Sequence, residues 1–175
     1  MSIFKNFFNS KFHKKQNSDK ENVSAKRGDM NWDNIELWDY NKLDSDSLIG
    51  EFEGLIKYVF PDDFKDFVLQ YNWARPEKDT FDTKVTEGRD IMAISSFNKE
   101  DIETIWNSYE WDEDCEEFKG FTGRYIPFAF SNCGDDICFD TSNNHVVYID
   151  HETAEVEEVA DTFTEFINSL YEYEE

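Results

Sequence analysis

Three short apolar segments in the second half of the chain, IPFAF at 126–130, DICFD at 136–140 and HVVYID at 145–150, are separated by only five and four residues. A parallel connection needs a crossover of a dozen residues or more, so these strands can pair only as an antiparallel meander. Thr141 to Asn144 supply one hairpin turn, and Gly134, between Asn132 and Asp135, permits the positive φ of the other. A further strand fits Val156 to Val159.

Helical periodicity brackets this sheet. From Ser47, the stripe Leu48, Phe52, Leu55, Ile56 and Val59 predicts an amphipathic helix. Pro61, Asp62 and Asp63 suit the first turn of a second helix with the core stripe Phe64, Phe67, Val68 and Tyr71. Residues 73–90 read as a loop leading to a strand at IMAI, 91–94. Asn98 is placed to cap a helix with the stripe Ile102, Ile105, Trp106 and Tyr109. Thr162 to Glu165 form a capping box for a last helix that buries Phe163, Phe166, Ile167 and Leu170. Helices, then an antiparallel meander, then a closing C-terminal helix make an α+β fold.

Charge divides the chain near residue 29. Up to Gly28, seven Lys and Arg stand against two acids; from Asp29 onwards ten stand against thirty-eight, a net −28. Such self-repulsion needs a strong core, and seventeen Phe in a chain that is 17% aromatic supply it, which excludes the disordered class. The field repels nucleic acid and anionic lipid and attracts basic proteins, so the expected partner is a cationic protein with no direct nucleic-acid contact.

Residues 1–29 form a basic, Phe-containing head and polar linker, and 30–175 a single acidic domain. Within the head, Ile3, Phe4, Phe7, Phe8 and Phe12 at helical spacing among lysines suit contact with a membrane surface or a neighbouring domain. Because the core helices begin beyond Ser47, residues 1–28 are expected to be dispensable for folding. Thermal melts of the full chain and of one lacking 1–28 should agree; a loss of ~2 kcal/mol, the scale of a lost core side chain, would mean that the head packs on the domain. No apolar run approaches the ~20 residues of a membrane-spanning helix, the opening lacks a continuous apolar leader, and three cysteines are an odd number for a disulfide framework, so a cytoplasmic location is expected.

Cys133, Cys138, His145 and His151 are the best metal-ligand candidates, but their spacing lacks the paired knuckles of zinc sites. The acidic run Asp112, Asp114, Glu116 fails as a calcium loop, since the sixth position is Glu117 and the twelfth Gly123. Cys115, Cys133 and Cys138 lie among carboxylates that disfavour a thiolate. No cofactor and no catalytic residue are therefore expected. Asp150, His151 and Glu152 end a strand in polar residues suited to bonding the turn backbone.

FPDDFKDFVLQYN at 60–72, IPFAFSNCGDDICFD at 126–140 and VVYIDHETAEVEEVADTFTEFINSL at 146–170 resemble, in order and spacing, the SUKH superfamily, which includes a fungal cell-wall synthesis regulator and many bacterial immunity proteins. Trp73 stands where that family usually has Gly. The resemblance implies a SUKH-like fold without enzymatic activity. It also implies an immunity protein that neutralises a cognate toxin by binding it, the alternative being an acidic regulatory scaffold of cell-wall or signalling type. Residues 110–175, with nineteen acids against Lys119 and Arg124, favour a basic nuclease-type target. The expected partner-binding residues are Asp135, Asp136, Asp150 and Glu152, with Trp73 and Trp111 as apolar anchors; Trp106 reads as core.

Overall fold

The computed structural model describes residues 35–98, 101, 111 and 114–173. The head at 1–29 and the helix expected over Ile102, Ile105, Trp106 and Tyr109 lie outside the described residues. In chain order the elements are β1 (Leu37–Trp38), α1 (Ser47–Ile56), α2 (Asp62–Gln70), β2 (Arg75–Pro76), β3 (Thr80–Phe81), β4 (Arg89–Asp90) and β5 (Ala93–Ile94). A 3-10 turn at Glu116–Phe118 precedes β6 (Tyr125–Phe130), β7 (Asp136–Asp140), β8 (Val146–Ile149), β9 (Val156–Ala160) and α3 (Phe163–Ser169). Strands β5 to β9 form one antiparallel sheet in sequence order, so the meander and the α+β class stand as expected.

Local chemistry places the helices. Pro61, with φ −55°, sets the entry to α2, and Asp62 and Asp63 occupy its electropositive first turn. Asp63 is only 5% exposed, and its Oδ2 accepts the backbone N–H (2.9 Å) and hydroxyl (2.8 Å) of Thr164, so α2 caps α3 across the core. Thr162 Oγ1 accepts the N–H of Glu165 at 3.1 Å, while Glu165 answers to the N–H of Asp161, one residue before the expected capping-box partner. Helix α1 differs more from expectation. Lys57 turns left-handed (φ 58°) and stops the helix at Ile56, so Val59 falls outside it and is 59% exposed. The buried pair is Ile49 and Phe52, a rotation of the stripe toward a position the periodicity left out. Leu170 likewise lies just past α3 and is half-buried.

The expected loop at 73–90 contains β2, β3 and β4, and the strand expected at 91–94 is confined to Ala93 and Ile94. Two-residue strands carry too little alternation to be read from a sequence. Strand β2 pairs with the distant β1, while β3 pairs with β4 eight to ten residues on.

The helices lie on one face of the sheet over a Phe-rich core. Phe64, with no exposed surface, contacts the rings of Phe60, Phe97, Phe128, Phe139 and Phe163 at centroid separations of 4.9–5.9 Å, mostly edge to face. The register shifts between Pro127 and Ala129, and the extra residue, Phe128, joins this core. Proline survives in an inner strand because it sits at that bulge. The opposite face carries a smaller cluster of Tyr125, Cys138, Val147 and Ile149, against which Trp111, Phe118 and Phe121 pack. No helix among the described residues is long and apolar enough to cross a membrane.

Candidate interaction surface

The acidic residues singled out in the sequence converge on one end of the meander but occupy different environments. Asp135 lies immediately before β7, behind the left-handed Gly134 (φ 94°), and is buried. Its Oδ1 accepts the backbone N–H (3.1 Å) and Nδ1–H (2.7 Å) of His151, and its Oδ2 accepts the Ser131 hydroxyl (3.0 Å) and the Tyr148 phenol. Burial opposes its charge, but these bonds outweigh burial and hold its pKa at about 2. The same contact with Asp135 raises the pKa of His151.

This junction extends across the sheet. Arg89 stacks on the Tyr148 ring at 4.5 Å and donates through Nη2 to Glu157 Oε1 at 2.5 Å. Glu157, 8% exposed, also accepts the hydroxyls of Thr83 (2.7 Å) and Thr86 (3.1 Å), pinning the loop after β3 to β9. Sequence reasoning missed Tyr148, Arg89 and Glu157. A visible signal was the phenol of Tyr148 at a core-facing position of a strand, where a buried hydroxyl needs a partner.

Ser131, Asp135 and His151 do not form a nucleophile relay. The serine is 2% exposed and donates to the carboxylate instead of to the imidazole. Burial pushes the Cys138 thiol well up, Cys133 is exposed, and His151 is held by Asp135. Among the described residues no three His, Cys, Asp or Glu side chains form a metal-ligand group.

Asp136 is half-buried and points to the sheet face opposite the helices, cross-strand from Phe130 on β6 and Ile149 on β8. Burial, then the charge of Asp135, pushes its pKa up to about 7, with His151 acting the other way. Asp150 Oδ1 accepts the backbone N–H groups of Glu152 and Thr153, both at 2.9 Å, and hydrogen bonding led by the Thr153 amide lowers its pKa. Glu152 is exposed on the same turn. Trp73 is half-buried with its ring against Phe130, and Trp111 stacks on Phe118 and donates its indole N–H to the Tyr125 carbonyl at 3.2 Å. The structure thus groups Asp135, Asp136, Asp150 and Glu152 at the ends of β7 and β8, with only Glu152 fully at the surface.

The basic side chains are largely committed internally. Lys65, Arg75, Lys84, Arg89, Lys119 and Arg124 each lie 2.5–3.8 Å from a carboxylate. Six of the nine Lys and Arg among the described residues are thereby paired, which leaves the outward field to the excess acids.

The model of the SMI1/KNR4 family (SUKH-1) matches residues 45–169, from the turn ahead of α1 to the end of α3. The chain is also 24% identical over 155 residues to the SPbeta prophage-derived uncharacterized protein YokK of Bacillus subtilis strain 168, an alignment that covers 78% of this chain and 79% of that protein.

Proposed function

Because the chain belongs to the SMI1/KNR4 family (SUKH-1), which includes immunity proteins, we propose that it is an immunity protein that neutralises a basic, nuclease-type toxin domain by covering its cationic surface. The observation that carries this reading is the acidic surplus. Residues 110–175 hold nineteen acids against two cations, and both of those, Lys119 and Arg124, are already bound to Glu116 and Asp140. A cleft built to hold a polyanion attracts such a face. The protein acts in the cytoplasm by occupancy and contributes no catalytic group. Residues 30–175 fold and bind as one unit.

The test is to purify the toxin domain, sought first as a basic C-terminal domain encoded immediately upstream, and to assay its activity with and without this protein. Neutralisation should be stoichiometric, with association near ~10⁸ M⁻¹s⁻¹ at low salt. Raising ionic strength from ~0.01 to ~0.15 M shortens the screening length from about 30 to about 8 Å and should slow association about tenfold. Asp150→Asn with Glu152→Gln should flatten that dependence while leaving the turn intact, because an Asn side chain still accepts the Glu152 and Thr153 amides. Full toxin activity at saturating protein would overturn the reading. Salt-independent association would remove its electrostatic part.

A further inference from the structure

Strand β1 and the residues after it run along the end of α2 and β2, and they present two aromatic side chains to solvent. Trp38 and Tyr40 are each 48% exposed, although they are separated by a single residue. Neither is loose. The Arg75 guanidinium sits 5.1 Å from the centre of the Trp38 ring, and Tyr40 meets Tyr71 edge to face at 5.1 Å. Between them Asp39 adopts a left-handed φ of 55° and places its carboxylate 3.8 Å from Arg75 Nε. Such a backbone conformation persists in a non-glycine residue only where the surroundings hold it. Here the hold comes from the Trp38–Arg75 register and from reciprocal backbone bonds between Asn41 and Asn72, at 3.0 and 3.1 Å. Exposed Trp and Tyr whose rings are already positioned lose little entropy on binding, which is why these residue types dominate the energetic centres of interfaces.

The rings named in the sequence analysis are differently placed, since Trp73 packs on Phe130 and Trp111 on Phe118 and Phe121. The Trp38–Tyr40 segment also precedes the part of the chain that the family model matches.

We propose that Trp38 and Tyr40, braced by Arg75 and Tyr71, are the anchoring surface for a Lys- or Arg-bearing segment of a basic protein partner. This inference rests on the reading of the protein as a binder of a basic toxin domain and names where that domain is gripped. Charge selects the occupant. A second copy of a chain carrying −23 is repelled, whereas Glu36, Asp39, Asp44 and Asp46 stand against Lys42 in residues 36–46, and Arg75, which lies over the Trp38 ring, is paired with Asp39. Indole and phenol faces attract ammonium and guanidinium groups, and the surrounding carboxylates strengthen that preference.

The experiment measures binding of the full-length protein to the basic toxin domain identified in the neutralisation assay, comparing wild type with Trp38→Ser, Tyr40→Ser, the double variant and the conservative Trp38→Phe. Thermal midpoints of each variant certify the fold, and if the double variant unfolds, the single variants carry the test. The expected result is a loss of about tenfold or more in affinity for each Ser variant, mainly through faster dissociation, with substantial rescue by Phe. Folded Ser variants that bind as wild type does would overturn this proposal and leave the immunity reading standing. No binding by wild type would overturn both.

Discussion

Asn72→Ala is expected to lower the unfolding free energy by about 3 kcal/mol, a larger loss than its small volume suggests. The side chain is fully buried and joins three separate segments. Its Nδ2 donates to Asn41 Oδ1 at 3.0 Å and Asn98 Oδ1 at 3.1 Å, and its Oδ1 accepts the backbone N–H of Phe97 at 2.7 Å. Alanine leaves the Phe97 amide without an acceptor, in a residue that is 1% exposed and whose ring packs on Phe52, Phe60 and Phe64. An orphaned buried donor loses its full solvation, so the deficit exceeds the net worth of a single hydrogen bond. Chemical denaturation of wild type and variant checks this, and a loss below ~1 kcal/mol would contradict it. Because Asn72 also holds Asn41, the variant should loosen the strand that carries Trp38 and Tyr40. Affinity for the proposed basic partner should therefore fall even in molecules that remain folded.

Asp136→Asn should act in the opposite direction, stabilising the protein by about 2 kcal/mol at pH 7. A pKa raised from 3.8 to about 7 means that the folded state holds a proton the unfolded chain has released. Between roughly pH 4 and 7 the folded protein therefore binds more protons, and its stability falls as pH rises through that window. The full shift corresponds to about 4 kcal/mol at 1.36 kcal/mol per unit, and the partial exposure of Asp136 reduces it. Asparagine keeps the shape without the charge, so urea midpoints measured from pH 5 to 8 should rise and lose most of their slope. Asp135 and His151 contribute slopes of opposite sign to each other. The low pKa of Asp135 gives stability that is lost only as pH falls toward 2, and the raised pKa of His151 gives stability lost as pH rises past its folded value. An unchanged slope in Asp136→Asn would place the titrating group elsewhere.

The meander, α2 and α3 were legible because each rests on local chemistry. Strands separated by a few turn residues have no parallel alternative, Pro61 with two aspartates marks a helix start, and Thr162 with Glu165 marks another. The family likeness was legible for the same reason, since its motifs are these caps and turns.

The roles of individual acids were not legible. Asp63, Asp135 and Asp136 look alike in sequence, yet one caps a distant helix, one is held ionised by four hydrogen bonds, and one is pressed toward neutrality beside Phe130 and Ile149. Charge count determined the kind of partner the chain can attract, because net charge acts at long range and needs no geometry. Which carboxylates are buried and bonded, and which aromatic rings stay exposed, depended on contacts tens of residues away: Asn72 with Asn41 and Asn98, Arg75 with Trp38, and Arg89 with Glu157. Burial and hydrogen bonding are properties of the packed chain, and only the tertiary structure decides them.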